Sequence, residues 1–127
     1  MKNQENQKIN SENLNGENLK ASEILHQIHK DGRYINITDV IDGIGQYKDH
    51  NHRCALGAIM GFWGWKGIID NDMGYDKYQE HFKKVGINAN FGTETNAGEI
   101  EAHELANYNN AGHDYEECAK WLEARGL

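Results

Sequence analysis

The 127-residue chain has no proline, only two cysteines, Cys54 and Cys118, and no long apolar run. Without proline, the fourteen glycines do most of the punctuating of turns. Two isolated cysteines make no dense disulfide framework, and the opening "MKNQENQKINSENLNGENLK" lacks the apolar core of a signal peptide. A reduced, cytoplasmic protein is the expectation. The longest apolar stretch, Ala55 to Trp65, is eleven residues and broken by glycine, against about twenty for a membrane-spanning helix. No membrane attachment is expected. Basic residues are scarce where acidic ones are dense: residues 1–66 carry eight of each, whereas residues 67–127 carry twelve Asp/Glu against five Lys/Arg. Such a surface repels phosphate backbones and anionic lipid, so direct nucleic-acid binding is not expected and a protein partner with a basic surface is favoured.

β-branched residues are few, a balance that suits short helices joined by Gly and Asn turns. The expectation is an all-α, compact single domain of four to five short helices over residues 19–127. Residues 1–18, polar, free of aromatics and part of a near-duplicate "ENLNGENL", are expected to form a flexible tail. Leu19, Ile24, Leu25 and Ile28 space a first helix that stops at Asp31-Gly32. "RYINI" reads as a brief extended segment or as the approach to a short turn capped by Thr38. From about Arg53 to Trp63 the helix is apolar on most of its circumference and should be the most buried. Tyr75, Tyr78, Phe82 and Val85 predict an amphipathic helix ended by Gly86, Asn88–Gly98 reads as a loop without a packing signal, and Glu99–Tyr108 as another helix. The last helix has the fullest signature: Asp114 as cap, Glu117 three residues on, Cys118, Trp121 and Leu122 inward, and Gly126 after the end.

The densest chemistry is "DHNHRC". His50, His52 and Cys54 alternate, so an extended segment would project all three to one side as metal ligands, although no established paired zinc spacing is present. Alternatively, a cysteine at a helix N-terminus has its thiolate favoured, and Cys54 with His103 as base and Asn109 as orienting group would make a thiol enzyme. The favoured reading makes Cys54, like Cys118, a small buried hydrophobe, with no cofactor and no catalysis. Asp70, Asp72 and Asp76 suggest a calcium loop, but the glycine is Gly74, one place early, and His81 stands where the loop needs a bidentate Glu. That reading fails. Trp65, set between glycines, and Tyr108 are candidate exposed aromatics for a partner or a nucleotide-like ligand, and Glu99, Glu101, Asp114 and Glu116 are the candidate acidic contacts.

"CALGAIMG" from Cys54 to Gly61, with "ELANYNNAGHDYEECAKWLEARGL" from Glu104 to Leu127, resembles a family of small uncharacterised helical proteins of bacteria and their phages. That family shows a Cys-Ala-Leu/Ile/Val-Gly-Ala helix start and a late Trp-Asn-Asp turn before a Thr-capped helix. Here Tyr108 replaces the Trp, Asn110 the Asp, and Asp114 the Thr. The resemblance implies that the Cys54 helix and the last helix pack together, tied by the Tyr-Asn-Asn turn. It carries no activity and implies a phage or mobile-element association; with the small size and the acidic C-terminal half, that association makes an inhibitor of a host protein, such as a defence or nucleic-acid-processing enzyme, the expectation.

Overall fold

The computed structural model describes residues 19–36, 52–66, 76–90 and 92–127. The polar tail 1–18, the Thr38 turn, His50, and the Asp70 to Tyr75 part of the rejected calcium loop lie outside the described residues. The fold is helix-rich, with two very short sheets.

Helix α1, Ala21–Asp31, starts two residues later than the Leu19 stripe implies, because Glu23 Oε1 accepts the Lys20 amide hydrogen at 2.8 Å and closes the first turn there. Gly32, at φ 63°, returns its amide to the Ile28 and His29 carbonyls and ends the helix. Strand β1, Ile35–Asn36, runs parallel to β2, His52–Arg53, and β3, Ile87–Asn88, runs parallel to β4, Ile100–Glu101. The two ladders modify the all-α expectation, and they share one origin. Each second strand leads into a helix whose N-cap must be extended: Cys54 (ψ 176°) precedes α2, Ala55–Phe62, and Glu101 (ψ 145°) precedes α4, Ala102–Asn110. The extended entry continues backward for a residue or two and finds a partner.

These entries also correct two boundaries. Arg53 is strand rather than helix, and Glu99 to Glu101 precede α4, which runs on instead to Asn110. The segment around Phe82 is a 3-10 turn, Asp76–Tyr78, followed by α3, Gln79–Lys84. Helix α5, Tyr115–Glu123, has the expected cap: Asp114 Oδ1 accepts from the Glu117 amide at 2.8 Å and Glu117 Oε1 from the Asp114 amide at 3.0 Å.

Helix α2 forms the centre, with Ala55 to Met60 and Phe62 all buried. Around it lie Ile24, Leu25 and Ile28 of α1, Phe82 of α3, Ile87 of β3, Leu105 of α4, and Cys118 and Leu122 of α5. Helices α1 and α5 form the most extensive pair, and the Ser22 amide donates to the Leu127 carbonyl at 3.2 Å. Among the described residues no helix is long and apolar enough to cross a membrane.

Candidate functional site

The Cys54 helix start meets the end of α4 through one buried side chain. Asn109, fully buried, accepts the Ala55 amide hydrogen on Oδ1 at 2.9 Å, and its Nδ2 donates to the His113 carbonyl at 2.7 Å and to Asn36 Oδ1 at 3.0 Å. Cys54 has no oxygen to cap its own helix, so an asparagine from 54 positions along the chain does it. The Tyr115 hydroxyl donates to the Arg53 carbonyl at 2.7 Å on the other side of the junction. A side-chain tie of the kind the resemblance implies is present at the last turn of α4, but α2 itself packs on α1 and α4 rather than on α5, and the polar groups of the tie are occupied in holding backbone and Asn36.

Cys54 and Cys118 are both fully buried, and neither is in a disulfide. Cys118 Sγ makes a weak donor contact to the His113 carbonyl at 3.8 Å, and burial, with Asp114 next in effect, pushes its thiol up to about 12. Burial also pushes the Tyr115 phenol far above its usual value. The sign follows directly. Both groups hold their protons in the folded chain at a pH where the unfolded chain releases them, so their contribution is intact below about 9 and falls as pH rises toward about 12. Urea denaturation should therefore show stability dropping by on the order of 1 kcal/mol per pH unit above pH 9, with a shallower decline for Cys118→Ala. A flat profile to pH 10.5 would contradict this burial.

Arg53 is buried beside the junction. Its Nη1 donates to the Gly57 and Trp65 carbonyls at 3.2 and 3.0 Å, and its guanidinium lies over Tyr34 and Trp65, 4.2 and 5.2 Å from their ring centres. Burial draws its pKa down, with Tyr34, Tyr115 and Tyr78 acting against that. Trp65 is thus a half-buried wall for Arg53 rather than an open platform.

The other predicted residues are placed as follows. His103 stands six residues before Asn109 on α4, roughly 9 Å of helix rise away, exposed and 3.2 Å from Glu101 Oε1. Helix α4 therefore brings Asn109, and not His103, to Cys54. His52 is partly buried on β2, and among the described residues no three His, Cys, Asp or Glu side chains are grouped to hold a metal ion. Asp114 caps α5, and Glu101 opens α4, its amide held by Glu104 Oε2 at 3.0 Å and its Oε2 accepting from Thr95 Oγ1 at 3.1 Å. Glu116 joins His26 of α1 at 2.7 Å. Tyr108 lies in a surface stack, 3.8 Å from the His113 ring and 5.2 Å from Trp121, with Arg125 3.7 Å above the far ring. Trp121 is therefore the half-buried end of that stack, packed against the core as its spacing implies but not sealed in it.

The segment between β3 and β4 is a loop, as its sequence reads, and its described residues are tied by side-chain hydrogen bonds. The Asn88 amide bridges it, Nδ2 donating to the Thr93 carbonyl and Thr95 Oγ1 while Oδ1 accepts the Asn90 amide hydrogen at 2.9 Å. The held loop faces α3 across a cleft of about 340 Å³, with Ile87 and Ala89 among its lining and Glu80, Lys83, Glu94 and Glu99 as its charged groups. Glu80, Lys83 and Glu94 carry no distinguishing motif, and only the fold assembles them.

Comparison with protein-family models, with curated proteins and with solved structures gives no match.

Proposed function

We propose that this is a non-enzymatic, acidic binding protein of the cytoplasm that docks on a protein partner with a basic surface. In keeping with the resemblance of its two helix motifs, the partner is a host protein that a phage or mobile-element product restrains. The finer architecture proposed with it is one compact helical domain over residues 19–127, the two ladders being extensions of helix starts. What carries the reading is the occupation of the one motif that offered chemistry. The Cys54 thiol is sealed in the core, the Asn109 amide is spent on the Ala55 amide and the His113 carbonyl, and His103 lies elsewhere on α4. Recognition is left to the surface, where acidic groups predominate.

The carboxylates to test are those the fold does not use. Reversing Glu101, Asp114 or Glu116 would cut helix caps and the α1–α5 pair along with any partner contact. The carboxylates of Glu80, Glu94 and Glu123 have no hydrogen bond or ion pair among the described residues. A partner captured on the immobilised full chain, purified and remeasured, should bind roughly tenfold or more weakly to Glu80→Lys/Glu94→Lys/Glu123→Lys, with an unchanged melting temperature and a strong salt dependence. Equal affinity removes the electrostatic reading. Turnover of any thiol-reactive ester that depends on Cys54 removes the non-enzymatic one.

A further inference from the structure

We draw no further inference here: the strongest candidate, the surface stack of His113, Tyr108, Trp121 and Arg125 between the end of α4 and α5, has its members packed on one another, and nothing in the structure shows what covers it.

Discussion

Asn109→Leu should lower unfolding stability by about 3–4 kcal/mol, roughly 10–15 °C in melting temperature, although leucine has nearly the same size and is apolar. The position is fully buried, so the gain in hydrophobicity is real. It is outweighed by what the amide leaves behind. The Ala55 amide at the start of α2 loses its partner, the His113 carbonyl before α5 keeps only the weak Cys118 Sγ contact, and Asn36 on β1 loses a third contact. Each orphaned buried group costs about 1–3 kcal/mol. Asn109→Asp separates the contributions: the carboxylate still accepts from Ala55, but it faces the His113 carbonyl and Asn36 Oδ1 with no hydrogen to donate. It too should destabilise, and less so at low pH, where a protonated acid restores one donor. Chemical denaturation of the three proteins decides the matter, and a leucine variant within 1 kcal/mol of the parent would show that the tie is dispensable.

The second large effect is expected at Gly61. In an ordinary helix Gly→Ala gains about 1 kcal/mol. Here a β-carbon would fall on the Arg53 guanidinium and the Tyr34 ring, so Gly61→Ala should instead lose about 2–3 kcal/mol. Arg53 has little room to yield, since it is buried, with its Nη1 held by the Gly57 and Trp65 carbonyls. If that overlap is the cause, the loss from Gly61→Ala should shrink by at least about 1 kcal/mol in an Arg53→Ala background, a coupling that urea denaturation of the double-mutant cycle reads directly. Strictly additive losses would place the strain elsewhere.

Much of the helical framework was legible because it rests on local rules. The α5 cap needs only Asp114 and Glu117 three residues apart, Gly32 and Gly86 carry the positive φ that ends their segments, and the unbroken apolar character of Ala55 to Met60 announced the most buried helix. The ladders were not legible, since two-residue strands have no periodicity to read and each depends on a partner 13 or 17 residues away in register. Trp121 was legible only in part for a related reason. Its spacing matches Cys118 and Leu122, but it sits half-buried at the margin of the core, where its outer face is left to stack with Tyr108.

The candidate sites divide in the same way. Composition alone determined that the C-terminal half is acidic, and the pattern of residues alone determined where the Cys54 helix begins to within two positions. What each of those residues does was decided only by tertiary structure. Cys54 is sealed because the fold buries it in one core with residues from several helices, and Asn109 is a helix cap because folding brings the end of α4 to an N-terminus that has no cap of its own. Glu80 and Glu94 line one cleft because the loop whose described residues Asn88 ties lies beside α3. Hydrogen-bond geometry and the convergence of charge depend on distances between residues far apart in the chain, and no local pattern encodes those distances.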